Sequence, residues 1–388
     1  MAARTERSAL ANWWWTIDRW LLAAIGALIV VGLVLTMAGS PPVAERLGLP
    51  TFHFVHRQAL ALIPTVVVML AASFLSPRQT RRAALVVFAV SMALIIAALL
   101  FGAEVKGSRR WIFGVQPSEF LKPAFAILAA WAFSEGAKRR DTPGNLIAVA
   151  LLPLTIVPLI LQPDFGQTLL VCVVWASLFF MAGLHWFWVA FIGGAGFGGA
   201  FLAYKFVPHV RSRVIRFLDP GAGGGIVDTF QVDTALDAFY SGGWFGKGPG
   251  EGTVKRILPD SHTDFIFAVT GEEFGIAACL LVAALFAFIV FRGLVLAHRA
   301  EDPFRRFAAA GLSIMFGIQS SINMAVNLHL MPAKGMTLPF ISYGGSSLVS
   351  LGLSVGFLIA VTRKRPGERF VAESAPALSR TPAKDAYA

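Results

Sequence analysis

Ten long apolar stretches separated by short polar punctuation dominate this chain, near residues 20–38, 59–75, 83–102, 118–135, 145–161, 167–183, 186–206, 265–296, 307–328 and 346–362. A helix of about 20 residues, rising roughly 1.5 Å per residue, crosses a hydrocarbon core of about 30 Å. The pattern predicts an all-α integral membrane protein with about ten transmembrane helices in one bundle. Two stretches break the apolar rule: the fourth contains Glu119 and Lys122, and the eighth contains Glu272 and Glu273. A long polar segment over about 207–264 separates helices 7 and 8. Flanking the membrane domain of 15–365 are an N-terminal tail over 1–14 and a polar tail over 366–388, whose Ala, Pro and Ser content predicts disorder.

Composition reinforces this pattern. The chain is 56% hydrophobic and 14% charged, with a mean hydropathy of +0.68, which excludes an ordinary soluble domain. Its net charge of +11 raises nucleic acid as a partner, but the basic residues are parcelled among short loops. Charge so distributed reads as membrane topology, not as a nucleic-acid surface. With the N-terminus cytoplasmic, the inside segments hold 19 of the 33 Lys and Arg residues. Both termini are then cytoplasmic, and the span number is even. The first apolar stretch is too long for a signal-peptide core and no small-residue cleavage site follows, so an uncleaved helix is expected. Cys172 and Cys279 fall inside apolar stretches and read as small hydrophobes.

The remaining basic residues gather on the outer side, among them Lys106, Arg109, Arg110, Lys122, Arg211, Arg213, Arg216, Lys247, Lys255, Arg256 and Lys334. Positive charge kept on the translocated side fits an anionic ligand, or more blandly headgroup contacts and loop salt bridges. The same side carries GSRRWIFGVQPSEFLKP (107–123), QPDFGQ (162–167), the segment 207–264 and KGMTLPFISYGGSS (334–347). A site opening to the extracytoplasmic face follows.

Asp264, in His262-Thr263-Asp264-Phe265, stands at the mouth of the eighth stretch. It is either a helix N-cap or a general base. Glu272 and Glu273 follow two turns later; buried, they need partners such as Lys122 or Arg109, and a structural ion pair competes with catalysis. Glu119 and Lys122 share a helix face, either as a local pair or as the lining of a polar cavity. Asp164 follows Pro163, as a turn former or as an anion facing that cavity. The glycines of SGGWFGKGPGEG match neither a P-loop nor a dinucleotide spacing and read as a lid or groove wall.

These motifs, with VRSRVIRFLDP and NLHLMPAKGMTLPFISYGGSS, resemble the SEDS family (shape, elongation, division and sporulation) over roughly residues 15–365. The Ala333–Ser342 wording resembles the family's division branch. His329, where glycine is more usual, and the Gly221–Gly225 loop depart from the family pattern. The resemblance implies a peptidoglycan glycosyltransferase in the bacterial inner membrane at the division septum, polymerising lipid II. It places the essential Asp at Asp264, supported by His262, Thr263, Glu272 and Glu273. It implies substrate contacts from Lys106, Arg109, Arg110, Glu119, Lys122, Asp164, Arg213, Arg216, Lys255, Lys334 and Ser346. It leaves room for a divalent cation (Mg or Mn) held by Asp164 and Glu119, and calls for no organic cofactor. The implied partners are a class B penicillin-binding transpeptidase, other divisome proteins and membrane lipid. Two other classes compete: a lipid II flippase and a non-catalytic scaffold. Motifs on one face and the lack of an internal repeat favour the enzyme over the flippase.

Overall fold

The computed structural model describes residues 8–105, 108–138, 143–183, 186–206, 211, 215, 226–332 and 335–364. Among these are thirteen α-helices and one two-stranded hairpin. All ten apolar stretches form helices: α2 (Arg19–Gly39), α4 (His53–Ser73), α5 (Pro77–Phe101), α6 (Pro117–Lys138), α7 (Gly144–Leu161), α8 (Phe165–Met181), α9 (Trp186–Phe206), α11 (Ile266–His298), α12 (Pro303–Asn327) and α13 (Gly345–Thr362). The protein is thus an all-α membrane protein. Seven of them (α2, α4, α5, α7, α11, α12 and α13) are long and apolar enough to cross a membrane, and α8 is an apolar helix of 17 residues.

Three further helices were not anticipated. The short α1 (Ala9–Thr16) starts at Ser8, whose hydroxyl accepts the Ala11 N–H, and is anchored where the Trp13 indole donates to Ser73 Oγ at 2.8 Å. The short α3 (Pro41–Arg46) follows α2 directly. Within the segment expected as a long loop lies α10 (Ile226–Gly242), which packs on α11. The hairpin of Ala103–Val105 and Ser108–Trp111 precedes α6.

At the centre lie α6, α12 and α13, the most thoroughly buried helices. Close backbone approach tightens the bundle: a Cβ on Gly352 of α13 would lie 2.5 Å from the Thr65 carbonyl oxygen of α4. Small residues at such crossings replace the hydrophobic drive that is weak between helices in lipid. The helix ends separate into two sets. One end collects the ion pairs Asp18–Arg292, Arg81–Glu135 and Lys138–Asp302. The other collects the motif-bearing loops and is called the site end below.

The eighth apolar stretch is not one straight helix. At Gly275 (φ 79°, ψ 178°) α11 breaks, and the chain from Gly243 to Gly248 inserts beside the break. Lys247 and Gly248 N–H donate to the Glu272 and Glu273 carbonyls (both 3.0 Å), while Ile276 and Ala277 N–H donate to the Gly243 and Trp244 carbonyls (2.9 and 3.2 Å). The glycine-rich loop is therefore a clasp on α11, where a lid or groove wall was expected. Gly246 and Gly275 allow it, because a Cβ on either would overlap backbone across the joint.

Candidate active site

A buried polar chain crosses the site end. Glu119 and Lys122 sit one turn apart near the start of α6, with Nζ 2.9 Å from Oε2. Gln167 of α8 donates to Glu119 Oε1 (2.7 Å), and Ser350 of α13 donates to the Glu119 backbone oxygen (2.6 Å). Lys122 also donates to Gln319 Oε1 on α12 (3.1 Å), and Gln319 Nε2 donates to the Thr337 carbonyl (3.2 Å). A buried ion pair costs less when each partner has further hydrogen bonds, as Lys122 has to Gln319 and Glu119 has from Gln167. The pair fastens four helices and the 335–344 loop together.

Asp164 caps α8, accepting the Gln167 N–H (3.4 Å) and the Gln116 amide (3.4 Å). Arg110 closes this turn, donating to the Gln162 and Pro163 carbonyls at 3.0 and 2.6 Å, with Nη1 3.9 Å from Asp164 Oδ1. Burial pushes the Asp164 carboxyl up from its ordinary value; the Arg110 guanidinium opposes this, and nearby Glu119 adds to the rise. These contacts fit the reading of Asp164 as a turn and cap residue.

Asp264 lies where these elements meet α11. The N-cap position of α11 is Phe265, so Asp264 precedes the helix instead of capping it. Its side chain is half-buried. Its backbone carbonyl accepts from Asn323 and Asn327 of α12, both at 2.9 Å. The loop before α13 wraps the same point. Ser342 Oγ donates to the Thr263 carbonyl (2.6 Å), Tyr343 N–H donates to the His262 carbonyl (3.0 Å), and Asn323 also donates to the Met336 carbonyl (2.7 Å). Gly335, at φ +59°, brings the loop against the carboxylate, since a Cβ there would lie 3.6 Å from Asp264 Oδ2. The His262 ring packs against Phe54 and Tyr343, with centroids 4.5 and 5.5 Å away.

With this geometry in place, comparison with known proteins decides the family. The sequence matches the cell cycle protein family of FtsW, RodA and SpoVE over residues 19–366. This chain belongs to that family. Among relatives, it is 46% identical over 370 residues to "Probable peptidoglycan glycosyltransferase FtsW" of Caulobacter vibrioides, covering 94% of each chain. It is 34% identical over 380 residues to the protein of the same name from Alkalilimnicola ehrlichii, covering 92% of this chain and 94% of that one. Among solved structures, it matches a chain of a peptidoglycan synthase complex that coordinates polymerization and crosslinking. That match has a TM-score of 0.74 and 26% identity, covering 89% of this chain and 97% of that one. The rod shape determining protein RodA of Thermus thermophilus matches with a TM-score of 0.65 and 26% identity, over 91% and 99% of the two chains.

Within the FtsW/RodA/SpoVE frame, the expected site residues divide into four groups. Glu119, Lys122, Asp164, Arg110, Ser346, Thr263, His262 and Asp264 share the site end, Ser346 Oγ accepting the Gln116 N–H at 3.4 Å. Arg109 stands exposed on the hairpin, 3.9 Å from Glu104 Oε2. Lys106, Arg213, Arg216 and Lys334 lie outside the described residues. Glu272, Glu273 and Lys255 form a separate cluster. Glu272 accepts the N–H groups of Thr253, Val254 and Lys255 at 2.6, 2.7 and 2.8 Å. Glu273 pairs with Lys255, which also donates to the Ala38 carbonyl at 3.0 Å. The expected partners Lys122 and Arg109 are therefore replaced by Lys255 and loop backbone, because the clasp folds back over the two glutamates. Lys255, expected to meet substrate, is 4% exposed and neutralised by this pair.

Asp164 and Glu119 do not fit a divalent cation between them. Both oxygens of each carboxylate already accept hydrogen bonds, and the Lys122 ammonium sits 2.9 Å from Glu119. Among the described residues no group of three or more His, Cys, Asp or Glu side chains converges. Gln319 and Asn323 are polar residues at the site end that no motif announced, and Asn327 only opens the NLHLMPAKG motif. Their signal is spacing: three carboxamides four apart fall on one face of a helix otherwise suited to membrane.

Proposed function

We propose that this chain is a peptidoglycan glycosyltransferase that polymerises lipid II at the division septum, with Asp264 as general base. In this reading ten helices cross the bacterial inner membrane. Both termini are cytoplasmic and the site end faces outward, where the lipid-linked disaccharide is presented. The acceptor sugar's 4-hydroxyl oxygen attacks the donor's anomeric carbon as the bond from that carbon to the diphosphate oxygen breaks. Asp264 takes the hydroxyl proton, and the diphosphate leaves on the donor lipid. Cations stabilise the charge that develops on the leaving group. Among described residues the exposed Arg109 and Arg256 suit that role better than Lys122 and Lys255, whose charge is spent in buried pairs.

The observation that carries this reading is the placement of Asp264. It is a half-buried carboxylate ahead of its helix, held from the backbone side and facing the loop at Gly335. The relatives' names support the activity, and the solved synthase complex supports a transpeptidase partner. The test is glycan polymerisation from lipid II by purified protein bound to a class B transpeptidase. Asp264→Ala, folded and partner-bound, is expected to be inactive; a normal rate would overturn the assignment. Full activity of the chain alone would overturn the dependence on the partner.

A further inference from the structure

In a regular helix the Asp264 carbonyl would accept the Ala268 N–H, four residues on. Here the helix starts one residue later, with Ala268 N–H donating to the Phe265 carbonyl at 3.1 Å, and the side chain of Asn327 bridges Asp264 to that same N–H. Its Nδ2 donates to the Asp264 carbonyl at 2.9 Å, and its Oδ1 accepts the Ala268 N–H at 3.1 Å. The carboxamide thus ties the residue ahead of α11 to the first turn of the helix. The bridge is itself held, because Asn327 Nδ2 also donates to the Asn323 carbonyl at 2.9 Å. Asn323, one turn earlier, gives one proton to the same Asp264 carbonyl and the other to the Met336 carbonyl at 2.7 Å. Both asparagines are almost completely buried.

We infer that Asn327 and Asn323 are positioning residues for the Asp264 carboxylate: Asn327 fixes its backbone against the first turn of α11, and Asn323 fixes its distance to the loop at Gly335. This inference rests on the reading of Asp264 as the general base. Backbone satisfaction alone asks for less, since the Ala268 N–H already has the Phe265 carbonyl and one amide would serve the Asp264 carbonyl. Two amides on one carbonyl instead hold the residue that must meet a hydroxyl in a narrow geometry, where an error near 1 Å costs about 10²-fold in rate.

The test measures lipid II polymerisation across pH by the full chain with its transpeptidase, for Asn327→Ala, Asn327→Asp, Asn323→Ser and Asp264→Ala. Asn327→Ala is expected to lower kcat by about 10²-fold while leaving the lipid II KM unchanged. Asn327→Asp keeps the acceptor for Ala268 but brings negative charge beside Asp264, so the acid limb of kcat moves to higher pH. A purely structural asparagine would lower the melting temperature of Asn327→Ala while the folded protein kept the wild-type kcat. If Asn327→Asp does not fold, Asn323→Ser carries the test, with kcat falling at constant KM. Wild-type kcat in Asn327→Ala beside inactive Asp264→Ala overturns the inference and leaves the base assignment standing. Activity in Asp264→Ala overturns both.

Discussion

Replacing Gly275 by alanine tests whether the break in α11 is a built joint. At φ 79° and ψ 178° this residue occupies backbone space that is essentially reserved for glycine. An added Cβ would overlap the Trp244 carbonyl oxygen and lie 2.5 Å from the Gly246 nitrogen. Relief requires the clasp to withdraw, which surrenders the four backbone hydrogen bonds from Lys247, Gly248, Ile276 and Ala277. With backbone strain of roughly 1–3 kcal/mol and a net 0.5–1.5 kcal/mol per bond, the cost is about 3–9 kcal/mol. That is a large part of a typical stability of about 5–15 kcal/mol. Thermal unfolding in detergent should show a markedly lower midpoint for Gly275→Ala. Trypsin should then cut at Lys255, which is buried in the wild type. Gly26→Ala is the control, because its Cβ would meet nothing within 4 Å on α2. A Gly275→Ala protein that melts with the wild type and keeps Lys255 protected would refute the joint.

Lys122→Met leaves the Glu119 carboxylate buried without its ammonium, so a loss of about 3–5 kcal/mol is expected on thermal melting; removing both charges in Lys122→Met/Glu119→Gln should recover part of it, and an additive double variant would disprove the coupling. Gly32→Val on α2 would drive a side chain into the Phe340 carbonyl, so polymerisation should fall with the bundle still folded; unchanged activity would show that this loop tolerates displacement. Burial alone would raise the Asp18 carboxyl, but Arg292 and the Leu21 N–H hold it below its ordinary value. A depressed folded pKa gives stability that is present above the unfolded value, about 4, and lost as pH falls through the folded one. The melting-temperature gap between wild type and Asp18→Asn should therefore be wide at neutral pH and close in acid; a constant gap would disprove the linkage.

The membrane helices were legible because each stretch is apolar enough to announce itself without tertiary context, as with 20–38 and α2. The meeting of PSEFLKP with QPDFGQ was legible through topology, since both sets of loops had to share one end. What stayed hidden depends on contacts between distant residues. Gly275 reads as one more small residue in an apolar run, and only the returning Gly243–Gly248 segment gives its φ a purpose. Lys255 reads as an outer-face cation because sequence shows charge but not that Glu273 neutralises it. Asn323 and Asn327 fall in an apolar stretch where a single polar residue commonly satisfies its own helix backbone; their partner Asp264 lies some sixty positions earlier.

The broken helix bears on which chemistry the fold serves. In transporters built around interrupted helices, the freed carbonyls and N–H groups at the break coordinate the cargo. At Gly275 the break is already filled. Glu272 and Glu273 carbonyls accept from the clasp, Ile276 and Ala277 N–H groups donate to it, and both glutamate side chains are engaged by the same loop. Nothing in that joint is left to bind a moving substrate. The proposed base, Asp264, lies about three turns earlier, where Asn327 bridges its carbonyl to the Ala268 N–H. The joint and the helix start thus have separate tasks: the Gly275 joint fixes the loop that covers the helix, and Asp264 stands just ahead of the first turn. A flippase would need the first to bind cargo or to move between states. A glycosyltransferase needs it rigid, so disulfide-locking the clasp onto α11 should leave polymerisation intact, and abolished polymerisation in a folded, locked protein would favour the moving-cargo reading.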